Sequence, residues 1–437
     1  MATQDNQNAA TLIQRREAAV PRAIAVKSQV HVQRAEGSEL WDVEGRRYID
    51  FGAGIGVLNL GHRHPAVVAA IKQQSEAYLH TCFHAVPYEP YIRLAERLNQ
   101  LAPGANPKKT ALFNSGAEAV ENAIKVARMH TGKSNVVAFA DGFHGRTFMA
   151  LTLTGKTTPF KPGVSPLMPG VFHVPYPKRS FAPENDSSRG HNEYNGVTTA
   201  DSLGAIDELL ATSLPSDQLA AIILEPVQGE GGFNIAPPEF MQGLRDLCDR
   251  HKALLITDEV QSGFGRTGKM FAVEHSGVVP DLIAVAKSMG GGLPISALIG
   301  DADIMDAPPV ASLGSTYGGN PLSCAAAHAV LDAMAEENLL QRSVELGTRL
   351  HTALVGLQAD PVNGIADVRN LGAMIALEFF VPERVTQIIA DARKRGLLLL
   401  SAGRHGQVIR LLPPLTTPFE LVDEAVQILT QSIQQNS

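Results

Sequence analysis

Residues 253–292 read ALLITDEVQSGFGRTGKMFAVEHSGVVPDLIAVAKSMGGG. They hold two apolar runs, ALLIT (253–257) and LIAVA (282–286), and each ends in a charged side chain, Asp258 and Lys287. Short apolar runs bounded by turn-forming residues predict strands buried on both faces. Similar runs lie outward of this pair at 110–113, 136–139, 219–224 and 295–299. Helical patterns fill the gaps, including 117–130 and 239–250; in the first, Val120, Ile124 and Ala127 recur at helical spacing and would face a sheet. Strands alternating with helices predict an α/β protein with a mostly parallel sheet covered by helices.

From Pro321 the pattern changes to long helices at 321–337 and 339–358, short strands near 374–379 and 408–412, and a last helix from Pro418. This predicts a smaller α+β domain. WDVEGRRYID (41–50) predicts a hairpin around Glu44-Gly45 that would join it. The expected division is 1–65 as a segment joining the small domain, 66–320 as the large domain, and 321–437 as the small domain. KRSFAPENDSSRGHNEYNG (178–196) is rich in turn-formers and predicts a surface excursion.

Composition narrows the function classes. A net charge of −7, with no block of like charges, argues against a nucleic-acid partner. No apolar run is long enough to span a bilayer, so no membrane partner is expected. Cys82, Cys248 and Cys324 lie far apart, without metal-ligand spacing; no metal site is expected, and a reducing, cytoplasmic setting is. The polar N-terminus lacks the basic-then-apolar order of a secretory signal.

In an open parallel sheet, ligands bind beyond the carboxyl ends of the strands. Residues that directly follow the apolar runs are therefore the candidates. Asp258 could hold a pyridinium nitrogen protonated, but taken alone it reads as a turn or capping aspartate. Lys287, at a strand end before three glycines, could form a Schiff base; alone, such a lysine is usually just solvated. Their position on successive runs makes the pair worth more than its parts. TALF (110–113) leads through Asn114-Ser115-Gly116 into a helix start that could bind phosphate, although Ser115–Glu118 equally satisfies a capping box. LAAIIL (219–224) leads into Glu225 and, after Pro-Val-Gln-Gly, Glu230; alone, these read as turn residues. Arg146 follows Gly142-Phe143-His144-Gly145, where His144 and Phe143 individually read as packed residues. Arg410 interrupts the apolar strand VIRLL and would want a carboxylate partner.

With these residues assembled, the chain resembles the class III (ω-amino acid) pyridoxal-phosphate transaminases, and within them the 4-aminobutyrate transaminases. The likeness runs from about Arg15 to the last helix. It rests on WDVEGRRYIDF, GHRHP (61–65), HTCF (80–83), SGAEAVENAIKVAR (115–128), DGFHGRT (141–147), EPVQGEGG (225–232), DEVQSGFGRTG (258–268), AKSMGGGLP (286–294) and TYGGNP (316–321). Any one glycine pattern would be weak; the ordered set is not. The resemblance implies a type I pyridoxal-phosphate-dependent transferase fold, with a small domain built from both chain ends. It implies a homodimer or a dimer of dimers with the site at the subunit interface, and small-molecule partners, an amino donor and 2-oxoglutarate.

It also implies roles. Lys287 binds the cofactor aldehyde and later shuttles the substrate proton, and Asp258 pairs with the ring nitrogen. Phe143 and Val260 cover the two ring faces, with His144 beside them, and Gln261 bonds the ring hydroxyl. Gly116 and Ala117 give backbone N–H groups to the phosphate, which Thr316 reaches from the neighbouring subunit. Glu225 supports the ring-side network. Arg146 grips the distal carboxylate, Arg410 receives the α-carboxylate of 2-oxoglutarate, and Glu230 covers Arg410 when the substrate lacks one, its flanking glycines letting the loop move. Ile55 lines the substrate pocket. Many relatives have Ser where Ala117 stands, and some have Tyr for Phe143. The same residues suit 5-aminovalerate as donor, and a decarboxylase of dialkylglycines or an aminomutase would share Lys287 and Asp258.

Overall fold

The computed structural model describes residues 8–178 and 196–437; the polar stretch at 178–196 lies almost wholly outside them. A seven-stranded sheet runs in the order Lys108–Phe113, Ser296–Asp301, Leu282–Val285, Leu254–Asp258, Leu219–Leu224, Asn135–Phe139, Val171–Val174. Only Ser296–Asp301 runs against the rest, pairing antiparallel with both neighbours. The sheet is therefore mixed and mostly parallel, as expected for an α/β fold.

The continuous apolar runs follow from burial on two faces. Val136, Ala138, Ile223, Ile256 and Leu298 meet Val120, Ile124 and Ala127 of the helix Gly116–Thr131 on one face. Val137, Phe139, Leu224, Leu255 and Ile283 meet Phe240, Met241 and Leu244 of Pro238–His251 on the other. Each such side chain contributes roughly 1.5–3 kcal/mol on burial. The helix Gly116–Thr131 starts at a complete capping box between Ser115 and Glu118 and stops at left-handed Gly132. Local signals and packing agree on its bounds.

Three smaller sheets follow among the described residues, the least of them the pair Val227–Gln228 and Asn234–Ile235. Ile365–Leu371, Met374–Phe379, Val408–Leu411 and Leu400–Ala402 form an antiparallel sheet in that order. Val32–Glu36, Glu39–Asp42 and Arg47–Asp50 form a meander that takes Leu397–Leu398 as a parallel fourth strand, so residues from both chain ends share one sheet. The helix Leu339–Gln358 lies over the hairpin of the antiparallel sheet, close enough that a Cβ on Gly347 would come within 2.0 Å of Gly372 O.

Gly347→Ala should therefore force the helix off its turn. Overpacking of this kind costs about 1–3 kcal/mol, so the variant should unfold at lower denaturant with an unchanged slope. An unaltered midpoint in urea would contradict it.

Candidate active site

Three neighbouring strands deliver their chemistry to one edge. In the sheet register Thr257 lies against Leu224, and Asp258 against Ala284. Glu225, Asp258 and the segment leading to Lys287 thus leave the sheet side by side. Lys287 takes a left-handed φ of 45°, a conformation that costs a non-glycine residue about 1–3 kcal/mol and concentrates at functional sites. Burial pushes its amine down to about 8 from an ordinary 10.5, opposed by Glu225, Asp258 and Glu230 acting through space and assisted by Arg410. A neutral amine is available at that position near physiological pH.

Asp258 is buried and fully engaged. Oδ2 meets His144 Nδ1 at 2.7 Å, and Oδ1 accepts the Val260 N–H at 3.1 Å. Burial disfavours charge on His144, but the hydrogen bond and charge of Asp258, with Glu225 behind, hold its pKa above the ordinary value. Glu225 works differently. Its two oxygens accept the Phe143 and Gly229 N–H groups, each at 2.8 Å, so one carboxyl staples two loops. Burial pushes that carboxyl up to about 7, with Asp258 adding and His144 and the two amides opposing.

The helix start reads both ways at once. Glu118 accepts from the Asn114 and Ser115 amides, which satisfies the capping box. The next two amides, Gly116 and Ala117, have no acceptor among the described residues, as first-turn donors of a helix do until an anion arrives. Gly116 must lack a side chain, because a Cβ would lie 2.8 Å from Val260 Cγ1. Beside Val260, Gln261 donates to Ile55 O at 3.4 Å and leaves its buried Oε1 without a partner. The Phe143 ring is tilted on Phe160 at 5.2 Å, and Phe160 also carries the Arg146 guanidinium 4.9 Å from its centre.

Arg410 has the partner its setting demanded. Buried in the strand Val408–Leu411, it meets Glu230 Oε1 at 2.8 Å and donates to Gly229 O and Ser401 O. Burial would raise the Glu230 pKa, but Arg410 outweighs it, with Lys287 and Lys156 adding, and holds it low. In this state the loop around Glu230 is bonded to neighbouring segments. Gly403 donates to Glu230 O at 3.0 Å, and Arg369 holds Gly232 O and Phe233 O. Thr316 and Arg146 are exposed, and among the described residues neither forms an ion pair with the buried cluster.

Three features escaped the sequence reading. Ala53, Gly54, Ile55 and Gly56 all have positive φ (43, 64, 66 and 73°) and form one left-handed turn. Gln261 and Ser288 bind its carbonyls, Ile55 O and Gly56 O. Asp141, from the DGFHGRT motif, pairs bidentately with Arg404 and also with Lys178. Lys156 donates to Gly403 O. The glycines of FGAGIG (51–56) were the available signal for the first; a lone lysine after Gly155 gave none for the last.

A partly desolvated lysine, a buried carboxylate braced by histidine, an open helix start and two arginines define a site for an anionic cofactor and carboxylate substrates. The family described as "Aminotransferase class-III" matches residues 23–433, and the chain belongs to it. It is 48% identical over 429 residues to the 5-aminovalerate aminotransferase DavT of Pseudomonas aeruginosa, covering 96% of this chain and 97% of that one. It is 44% identical to the 4-aminobutyrate aminotransferase GabT of Escherichia coli, with the same coverage. The ornithine aminotransferase of Toxoplasma gondii superimposes with a TM-score of 0.85 at 28% identity, over 98% of this chain and 96% of that one. The fold is that of the type I pyridoxal-phosphate enzymes, and the cofactor is pyridoxal 5'-phosphate. The residues present fit it: Gly116 and Ala117 have free donors for a phosphate, Gln261 Oε1 is an orphan acceptor, and Lys287 presents an amine at low pKa. Among the described residues no helix is long and apolar enough to cross a membrane, and no cluster of metal-ligating side chains occurs.

Competitive acetylation of the cofactor-free protein should show Lys287 gaining reactivity as pH rises through about 8, whereas exposed lysines follow near 10.5. A Lys287 profile that coincides with theirs would contradict the desolvated setting.

Proposed function

We propose that the enzyme transfers the terminal amino group of a short ω-amino acid, 4-aminobutyrate or 5-aminovalerate, to 2-oxoglutarate, acting as a homodimer or a dimer of dimers. The observation that carries this reading is the Glu230–Arg410 pair at 2.8 Å, its guanidinium buried; Arg146 is exposed and has no ion pair among the described residues.

Bound pyridoxal 5'-phosphate supplies the aldehyde and the electron sink. Gly116 and Ala117 would hold its phosphate with backbone N–H groups, assisted by Thr316 from a second copy. Phe143 and Val260 would pack against the ring, Gln261 would bond its hydroxyl, and Asp258, fixed by His144, would keep its nitrogen protonated. Glu225 keeps the Phe143 and Gly229 loops in place. Lys287 would anchor the cofactor and, through Nζ, hold and return the proton of the substrate carbon that bears nitrogen. Arg146 takes the distal carboxylate common to donor and acceptor, and Ile55 forms the pocket wall.

The two half-reactions differ by one carboxylate. An ω-amino acid leaves Arg410 without an anion, and a buried charge stripped of its partner costs roughly 3–5 kcal/mol. Glu230 supplies the anion in that half. The α-carboxylate of glutamate or 2-oxoglutarate replaces it in the other, as a bidentate partner. Donor length rests on a smaller quantity, because one methylene in an apolar pocket is worth about 1–3 kcal/mol. The likenesses to both DavT and GabT support either donor, and a panel of ω-amino acids against 2-oxoglutarate and pyruvate would rank them.

Glu230→Gln should split the halves. The ω-amino acid half should fall by about tenfold or more, whereas glutamate and 2-oxoglutarate should react as before or faster. Single-turnover rates decide it; equal losses in both halves would make Glu230 structural.

A further inference from the structure

Lys156 stands beside the Glu230–Arg410 pair without belonging to it. It follows the helix Phe148–Leu153 and is partly buried. Its ammonium donates to Gly403 O at 2.8 Å, and Gly403 donates its own N–H to Glu230 O at 3.0 Å. One residue therefore links the lysine head to the backbone of the glutamate. An ammonium has three donors, and among the described residues only the bond to Gly403 O uses one. Among the described residues Lys156 forms no ion pair, yet Glu230 and Asp141 both act on it through space.

The state described here pairs Glu230 with Arg410. When an α-carboxylate takes Arg410, the displaced Glu230 side chain, 24% exposed in the paired state, stays mostly shielded from water, and an unpaired carboxylate there is disfavoured. Moving its backbone away would break the bonds from Gly403 and Arg369 to the loop. Three cations act on Glu230: Arg410, Lys287 and Lys156. The first is then occupied by substrate, and the second is committed to the cofactor. Lys156 is left, with donors to spare.

We propose that Lys156 is the second berth of Glu230, receiving its carboxylate whenever an α-carboxylate occupies Arg410. The inference rests on the Glu230 exchange described under the proposed function, and makes Lys156 a positioning residue that sets selectivity for dicarboxylates over monocarboxylates. Closed, the site holds Glu230 on Arg410 and admits a substrate with one carboxylate. Open, it holds Glu230 on Lys156 and admits a substrate with two. Glu230 and Arg410 each keep a charged partner in both.

Calorimetric binding of glutarate and of butyrate to the holoenzyme tests this, because neither probe carries a reacting group. Lys156→Met should lower the affinity for glutarate relative to butyrate by about tenfold. Lys156→Arg should restore most of the ratio, since it keeps a cation there. In a Glu230→Ala background, Lys156→Met should leave the ratio where Glu230→Ala put it, because the two residues act through one contact. An unchanged ratio in Lys156→Met, checked with Lys156→Gln should the first variant fold poorly, would overturn the proposal. So would an equal fall in the Glu230→Ala background, which would mean that the lysine acts by holding the Gly403 turn. If Glu230→Ala alone leaves the ratio unmoved, the exchange at Arg410 fails, and the role of Lys156 fails with it.

Discussion

The site depends on keeping charge in a place that excludes water. Asp258, Glu225, His144 and Arg410 are almost fully buried, and Lys287 and Glu230 are partly so. An isolated buried ion is several kcal/mol unstable even after relaxation, so each of these must have a partner or give up its charge. Asp258 takes His144, and Arg410 takes Glu230. Glu225 spreads its oxygens over two backbone amides, while burial raises its pKa, and Lys287 yields part of its basicity. The loops of the site are shaped by these obligations. The 141–147 and 229–232 segments lie where they do because one carboxyl binds an amide from each.

Backbone strain is the second cost of the same arrangement. Lys287 and Ile55 both occupy left-handed conformations that their side chains disfavour, Ile55 more so because it is β-branched. Neither is free to relax. Ser288, next to Lys287, binds Gly56 O, and Gln261 binds Ile55 O. The strained lysine and the strained turn hold each other through backbone carbonyls, while the buried sheet supplies the stability that offsets them. The turn is therefore specified by its carbonyls, and the residue 55 side chain is left available to shape the pocket.

Most of the large sheet was legible because its strands are apolar throughout, and a strand buried on both faces shows itself as an unbroken run. Direction was not legible. Ser296–Asp301 is antiparallel to both its neighbours, and nothing in SALIGD encodes that direction. Lys287 and Asp258 could be picked out because ligands meet strands at their carboxyl ends, and Arg410 because a buried guanidinium requires an anion. His144 could be named only through the resemblance, since its contact with Asp258 spans 114 positions. The expectation of a moving Glu230 loop came from its glycines alone. Gly403 and Arg369, which fasten that loop, lie more than a hundred residues downstream, where no local pattern links them to it.

The sheet shared by both chain ends has a consequence for the order of events during synthesis. Arg47–Asp50 gains its fourth-strand neighbour only when Leu397–Leu398 has been made, and Phe51 O receives its bond from Leu412 N later still. The turn that holds Ile55 adjoins these residues, and Arg410 lies in the strand that ends at Leu411. The first sixty residues must therefore wait, partly unpaired, for nearly the whole chain to emerge. Chains folding domain by domain from the N-terminus would complete the large sheet first, with its lysine and carboxylates in place. Arg410 and the sheet shared by both chain ends would be assembled last, so a nascent or truncated chain would present Lys287, Asp258 and Glu225 before Glu230 has its partner.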